Sequence, residues 1–359
     1  MSFQSHFSMA FYPKITVVTP SFNQGKFLEE TILSVLNQNY PNLEYIVIDG
    51  GSRDNSVEII QKYAEKIAYW ESKPDKGQTQ ALNKGFARAS GEILTWICSD
   101  DLLEPEALFK AAHYFNQNAN ISLIHGSTKL IQEGKPSRLS AGFAPNLALD
   151  YFSHLPFPQP SSFFKRQILV ETGLLDERLH YTMDYELCIR IALNYQILPV
   201  SDLFSCYRLH EDSKTVSEQA RFLPERLLNF SKLMQTFAHY FNYQEGIDLL
   251  TQAGVYTRRK AEDDGSASEF FPILDPEAAA KKFDKIQNKA ILINFLNNIL
   301  LIYFNEKNLQ KVEQIGKVLS DFAPESLLSY QNLMRYQTAQ YQNRSWVGKV
   351  QWKIEKLLK

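Results

Sequence analysis

Between Lys14 and Ser127 short β-branched apolar runs alternate with stretches of helical spacing, which predicts a sheet built from strand–helix–strand units. Ile15 to Thr19 is the first strand, closed by Pro20. Lys26 to Gln38 carries Phe27, Ile32, Val35 and Leu36 near helical spacing, and Leu43 to Ile48 is a second strand that stops at Asp49. Asp54 caps a helix through Tyr63, Ile67 to Trp70 is a third strand, and Gln78 to Ala89 is a further helix. Glu92 to Cys98 is the fourth strand and delivers Asp100. Pro105 opens a helix through His113, and Ile121 to His125 is another strand. From Gly134 to Pro160 prolines and glycines recur without a period, the pattern of loops, and Tyr185 to Asn194 returns to helical spacing. Beyond about Arg221 the chain reads as long helices rich in Leu, Phe, Asn, Gln and Lys, with a loop or linker near 262–276. The expected fold class is α/β, a mostly parallel sheet with flanking helices over 13–220, followed by a mainly helical region over 221–359.

Composition narrows the function classes. A chain of 359 residues exceeds the size at which single cores stop growing, so two domains are expected. A formal charge of -2 supplies no basic surface for a phosphate backbone, and no nucleic-acid partner is expected. The three cysteines, Cys98, Cys188 and Cys206, sit singly in apolar segments instead of in zinc-ligand pairs. They read as reduced thiols and the compartment as cytoplasmic. No basic start followed by an apolar stretch marks a signal peptide, and Ala290 to Phe304, interrupted by Asn294, Asn297 and Asn298, falls short of the roughly 20 residues that span a bilayer.

The chemistry is concentrated where strands end. A parallel sheet gathers the C-terminal ends of its strands along one edge, so Asp49 and the pair Asp100-Asp101 are expected to converge on one crevice. Two adjacent carboxylates repel unless a cation or hydrogen bonds offset the repulsion, and Mg²⁺ or Mn²⁺ with a substrate's phosphates would do so. A helix cap at Asp101 and an ordinary Asp-Gly-Gly-Ser turn at Asp49 are the competing structural readings. No G-x-G-x-x-G or G-x-x-x-x-G-K-[ST] follows a strand, which weighs against dinucleotide binding and P-loop chemistry.

The ordered segments Thr19-Pro-Ser-Phe-Asn23, Asp49-Gly-Gly-Ser-Arg-Asp54, Lys73-Pro-Asp-Lys-Gly-Gln78, Asn83-Lys-Gly85, Ser99-Asp-Asp101 and Met183-Asp-Tyr-Glu186 resemble family 2 glycosyltransferases over about residues 13 to 215. The resemblance is to the branch that builds bacterial surface polysaccharides. It implies a GT-A fold and transfer of a sugar from a nucleoside-diphosphate donor with inversion at the anomeric carbon. It further implies that Pro20, Phe22 and Asn23 line the base pocket, that Asp49 binds the base, and that Asp75 and Gln78 close that pocket. Asp100 would hold the Mn²⁺ or Mg²⁺ that neutralises the leaving diphosphate, Asp101 would lie near the donor sugar, and Asp184 would be the catalytic base. His210, in an Arg-x-His context, is a second candidate for the metal or diphosphate. One departure stands out: many relatives read Asp-x-Asp-Asp where this chain has Cys98-Ser-Asp-Asp, so one acidic group is absent. Gln159-Pro-Ser161 resembles a segment near the acceptor site.

At the C-terminus Trp346, Val350, Ile354 and Leu357 fall at helical spacing beside Lys349, Lys353, Lys356 and Lys359. The segment fits either packing within the helical region or peripheral contact with the inner face of a membrane, where a lipid-linked or glycan acceptor would be met. Two other functions stay open on the sequence: a nucleotide-sugar-binding scaffold without turnover, and a sugar nucleotidyltransferase. The loop Pro20-Ser-Phe-Asn-Gln-Gly25 lacks the basic residues that grip a triphosphate and disfavours the latter.

Overall fold

The run Ile15–Ser21 is buried at every position and forms β1, as expected of a strand covered on both faces. On one side it pairs in parallel with β2 (Leu43–Asp49), which pairs in parallel with β3 (Tyr69–Ser72). On its other side lies β4 (Ile93–Trp96), also parallel. The computed structural model describes residues 11–140, 151–258 and 269–324. The chain divides into one unit of Met1–Pro145 with Pro156–Phe222 and another of Asn146–Leu155 with Leu223–Lys359.

The first unit continues with β5 (Leu102–Leu103), β6 (Ile121–Gln132), β7 (Lys135–Ser140), β8 (Ser162–Lys165) and β9 (Gln196–Leu209). Strand order is β3-β2-β1-β4-β8-β6-β9-β5, with β7 on β6. The sheet is mixed: β8 runs antiparallel between β4 and β6, whereas β6 and β9 are parallel. Because the chain visits β2 and β3 on one side of β1 and then crosses to β4 on the other, the order reverses beside β1. Ligand crevices of α/β sheets open at such points, at the C-terminal ends of the strands.

Four helices hold the parallel part: α1 (Gly25–Leu36), α2 (Ser56–Lys62), α3 (Gln78–Arg88) and α4 (Ala107–Gln117). Leu28, Thr31, Ile32 and Val35 put one stripe of α1 into a core shared with Val17, Val47 and Leu108. A Cβ on Gly85 would lie 2.5 Å from Val18 Cγ1, so α3 reaches β1 only because that position has no side chain. After β8 come α5 (Gln167–Thr172), α6 (Met183–Asn194) and, beyond β9, the short α7 (Lys214–Ser217).

Several local expectations change. Pro20 does not end β1; it pairs opposite Ile48 within the strand. Val18 directs its carbonyl to Ile97 of the β4 side and Ser21 directs its carbonyl to Gly50 of the β2 side. Pro20 shares the parity of Val18, so its missing N–H faces the side on which β4 has already ended, where no ladder bond is lost. Helix α4 starts at Ala107, not at Pro105, because Leu102 and Leu103 pair with β9 and Glu104 N donates to Phe204 O. The stretch after Gly134 holds β7, whose Lys135–Leu139 are exposed and therefore show no apolar alternation.

The second unit is helical over its described residues: α8 (Phe222–Phe241), α9 (Gln244–Gln252), α10 (Pro276–Lys282), α11 (Lys285–Asn305) and α12 (Leu309–Phe322). Asp284 and Asn308 cap α11 and α12 by accepting from Gln287 N and Lys311 N. Phe152 meets Phe237 and Phe283 edge-on, and Ser153 Oγ accepts from Asn294 and Asn298 of α11. No helix among the described residues is long and apolar enough to cross a membrane. Residues 262–268 of the linker expected near 262–276 and all of the C-terminal segment 345–359 lie outside the described residues.

Candidate active site

Register places Ser21, Asp49 and Ser72 side by side at the tips of β1, β2 and β3. The Asp49 carboxylate is fully buried and folds its own turn: Oδ2 accepts from Gly51 N (3.0 Å), Ser52 N (2.8 Å) and Ser72 Oγ (2.7 Å), and Oδ1 from Ser52 Oγ (2.5 Å). Oδ1, with one donor, retains capacity for another. Gly51 has φ +83°, and a Cβ there would press on Pro74 N at 3.0 Å, so the turn requires glycine. Asn23, at φ 51°, clasps this turn from β1, donating its N–H to Ser52 Oγ (2.7 Å) and accepting from Arg53 N (2.8 Å). Phe22 beside it is 59% exposed, whereas Pro20 is buried within β1. Asp75 stands across the turn: a Cβ on Gly50 would lie 3.1 Å from both its carboxylate oxygens. Asp49, Asn23 and Asp75 thus surround one turn, with Phe22 next to Asn23 in the chain.

The second cluster forms where β4 ends. Asp101 N donates to Cys98 O, and Thr31 Oγ1 of α1 lies 2.9 Å from Ser99 O and 2.8 Å from Asp101 O, fixing the loop from beneath. The side-chain ligand atoms of Cys98, Asp100 and Asp101 all lie within 4.8 Å of one another. Asp100 Oδ2 is 2.9 Å from His210 Nε2. Asp101 is 1% exposed and accepts from Arg208 N at 2.9 Å, which makes it a brace to β9 and not a cap of α4. Burial, reinforced by the neighbouring Asp100 charge, pushes Asp101 well above the usual carboxylate range despite the pull of Arg208. Burial likewise pushes the Cys98 thiol up, with Asp101, Asp100 and Asp184 adding to the rise and Lys214 opposing it. Cys98 therefore presents a thiol, and Gln78 Nε2 donates to its sulfur at 3.2 Å.

These donors suit a small hard cation. Two ligands on adjacent corners of an octahedron with bonds of about 2.1 Å stand about 3 Å apart, close to the observed separation of Asp100 Oδ2 and His210 Nε2. Carboxylate oxygen with imidazole nitrogen is a donor set that Mn²⁺ and Mg²⁺ accept.

Asp184 sits in the first turn of α6 and is half-buried, whereas every other residue from Met183 to Leu193 is buried. Its carboxylate accepts from Tyr185 N at 2.7 Å. Its charge helps to raise both the Cys98 and the Cys188 thiols. Glu186 faces away and pairs with Arg190 at 2.9 Å; Arg190 in turn holds the carbonyls of Thr172, Gly173 and Leu174. Asn83 fixes the following turn through both backbone groups of Leu175. The sequence did not single out Lys214, Arg208 or Thr31. They reach the cluster from residues about 70 to 115 positions away, and no local spacing reports such a contact.

The comparisons with known proteins bear on the fold and the family. A model of glycosyl transferase family 2 matches residues 16–173. An uncharacterized glycosyltransferase of Mycobacterium tuberculosis is 31% identical over 183 residues, covering 50% of this chain and 70% of that protein. One of Rickettsia typhi is 28% identical over 211 residues, 56% of this chain and 66% of that protein. Among solved structures, S. aureus TarS superposes with a TM-score of 0.54 at 15% identity, covering 92% of this chain and 55% of TarS. Its fragment 1-349 gives 0.51 at 18% identity with 93% of both chains covered. The fold is thus the one TarS has, and the family-model match together with the identity to the mycobacterial protein shows that this chain belongs to glycosyltransferase family 2.

Proposed function

We propose that this chain is an inverting, metal-dependent glycosyltransferase that moves a sugar from a nucleoside-diphosphate donor to a hydroxyl of a glycan or lipid-linked acceptor, in polysaccharide biosynthesis on the cytoplasmic side of a membrane. Residues 13–220 would carry the chemistry and 221–359 the acceptor or assembly contacts. The observation that carries this reading is the placement of Asp49 at the tip of β2 and Asp100 just beyond β4, on either side of β1, where strand order reverses. TarS fragment 1-349 has been solved with UDP and with UDP-GlcNAc, which makes uridine diphosphate sugars the first donors to test.

In this reading the base lies against the turn formed by Asp49, with Asp49 Oδ1 accepting from a base N–H and with Asn23, Phe22 and Asp75 around it. Asp100 and His210 would hold the Mn²⁺ or Mg²⁺, which when bound offsets the charge that gathers on the leaving diphosphate. Asp184 removes the proton from the acceptor hydroxyl as that oxygen attacks the anomeric carbon. The bond from that carbon to the diphosphate oxygen breaks, and its electron pair leaves with the nucleoside diphosphate. Asp184 stands in the first turn of α6, half-buried, and accepts from Tyr185 N. Gln78 and Asp101 shape the floor, Asp101 through its bond to Arg208 N.

The test is donor hydrolysis across UDP-, GDP- and dTDP-sugars with Mn²⁺, Mg²⁺ or EDTA, alongside Asp100→Ala. The expected result is release of nucleoside diphosphate from one donor, suppressed by EDTA and in the variant. Binding of a donor without release in the presence of an acceptor extract would overturn turnover and leave a binding module.

A further inference from the structure

Asp100 and His210 give the cation site at the β4 tip one carboxylate and one imidazole. Beside them stands the Cys98 sulfur, a softer donor than the carboxylate oxygens that Mg²⁺ and Mn²⁺ favour. His210 Nδ1 is buried and has no hydrogen-bond partner among the described residues. A neutral imidazole that ligates through Nε2 must carry its proton on Nδ1, and ligating histidines usually hand that proton to a carboxylate or carbonyl. Loading His210 would here bury an unpaired N–H, a cost comparable to a lost hydrogen bond. A second positive charge near the leaving diphosphate would add to what such a cation supplies.

A protein cation reaches the same cluster through Gln78. Lys214, the first residue of α7, donates from Nζ to Gln78 Oε1 at 3.2 Å and to His180 O at 3.0 Å, and Gln78 Nε2 donates on to Cys98 Sγ at 3.2 Å. The chain Lys214–Gln78–Cys98 leads from the ammonium to the group in which Cys98, Asp100 and Asp101 lie within 4.8 Å of one another. The ammonium also lies over the Tyr181 ring, 5.6 Å from its centroid. Tyr181 and Arg221 both bond Glu218, so the segment after β9 is fastened to the loop before α6 and the Lys214 backbone is fixed. The Gln78 amide and the His180 carbonyl are both neutral acceptors, and a neutral acceptor is readily exchanged for a phosphate oxygen, to which a lysine bonds more strongly.

Resting on the donor reading above, we infer that Lys214 is a diphosphate-binding residue that shares with the divalent cation the charge of the nucleoside diphosphate. Its Nζ leaves Gln78 Oε1 for a phosphate oxygen, and Gln78, relieved of that bond, keeps its contact with Cys98. The charge on the diphosphate rises as the bond to the sugar breaks, so a fixed ammonium stabilises the transition state more than the bound donor. The consequence is a nucleotide site that still distinguishes diphosphate from monophosphate when no metal is present.

The experiment is calorimetric titration of the full chain in EDTA with UDP, GDP and dTDP, each beside its monophosphate and nucleoside, for the wild type, Lys214→Met and Lys214→Arg. In the wild type one diphosphate binds more tightly than its monophosphate. Lys214→Met weakens that diphosphate by roughly 10- to 100-fold, the range for a hydrogen bond to a charged group, and leaves the nucleoside unchanged, while Lys214→Arg restores most of the loss. Unchanged diphosphate binding in Lys214→Met, or equal loss for diphosphate and nucleoside in a variant with wild-type melting, overturns the inference but not the donor reading. Failure of every diphosphate to bind the wild type with or without Mn²⁺ overturns both.

Discussion

Replacing Asp184 by asparagine keeps the size of the side chain and removes the basicity on which its proposed role rests. An amide at this position cannot take a proton from the acceptor hydroxyl, so the Asp184→Asn variant should lose transfer by about 10²- to 10⁴-fold while donor affinity stays within a few fold. Single-turnover rates and donor titration measure the two separately, and retained turnover would remove Asp184 from the mechanism. Cys98 permits the opposite experiment, a gain. Cys98→Asp sets an oxygen ligand within reach of Asp100, and the metal concentration for half-maximal activity should fall roughly tenfold as the ligand charge rises. No change would place residue 98 outside the metal's shell. Both residues were legible in the sequence, because Met183-Asp-Tyr-Glu186 and Cys98-Ser-Asp-Asp are contiguous patterns and the departure at 98 is visible against them. The 2.9 Å approach of His210 to Asp100 was foreshadowed only as a shared role. The link from Lys214 through Gln78 to Cys98 was not visible at all, because it joins three segments whose meeting depends on the path of β9.

Elements carry the site only if the sheet beneath them keeps its register, and Glu44 is a fastening at the far end of that sheet. It lies at the start of β2 and accepts from Lys14 Nζ (2.8 Å) and Thr16 Oγ1 (2.6 Å) at the start of β1, and from Ser90 N (2.7 Å) and Oγ (2.6 Å) just before β4. Burial alone would raise this carboxyl, but the bonds from Lys14, Ser90 and Thr16 outweigh it and hold it down at about 2. A carboxyl whose folded pKa is depressed stabilises the fold fully above its ordinary value and loses that contribution as pH falls through the folded value. The wild type should therefore exceed Glu44→Gln by about 1 to 2 kcal/mol at pH 7, and the difference should shrink as pH falls from the ordinary carboxylate value of 4.5 toward about 2. Urea denaturation of both proteins at several pH values checks this, and a difference independent of pH would mean that shape, not charge, does the fastening. At this scale the parallel strands and their helices were readable because buried strands announce themselves as apolar runs. Strands β7 and β9 were not: β7 is exposed on most of its length, and β9 spreads fourteen residues around Pro199 with mixed burial. Their pairing partners, not their own pattern, make them strands.

At the scale of the whole molecule, the helical character beyond Arg221 could be read from composition, whereas the assignment of Asn146–Leu155 to the same unit could not, because it rests on Phe152 and Ser153 meeting residues far along the chain. What the second unit contributes to function is a question of where the acceptor is found. The segment Ser345–Lys359 repeats apolar residues at 346, 350, 354 and 357 and carries Lys349, Lys353, Lys356 and Lys359. On an anionic bilayer each lysine near the surface adds on the order of 1 kcal/mol, decaying within a Debye length, and a Trp-bearing apolar stripe adds the burial that holds the segment in the interface. Deleting Ser345–Lys359 should thus reduce cosedimentation with vesicles containing anionic lipid by at least about tenfold, and salt should weaken the intact chain far more than the truncated one. Donor hydrolysis in free solution should stay unchanged, because the deletion leaves residues 13–220 intact. Transfer to an acceptor presented in vesicles should fall with the binding. Equal cosedimentation of the two chains would instead assign the apolar stripe to packing within the helical region, in which case the truncated protein should melt at a lower temperature while membrane contact, if any, comes from another surface.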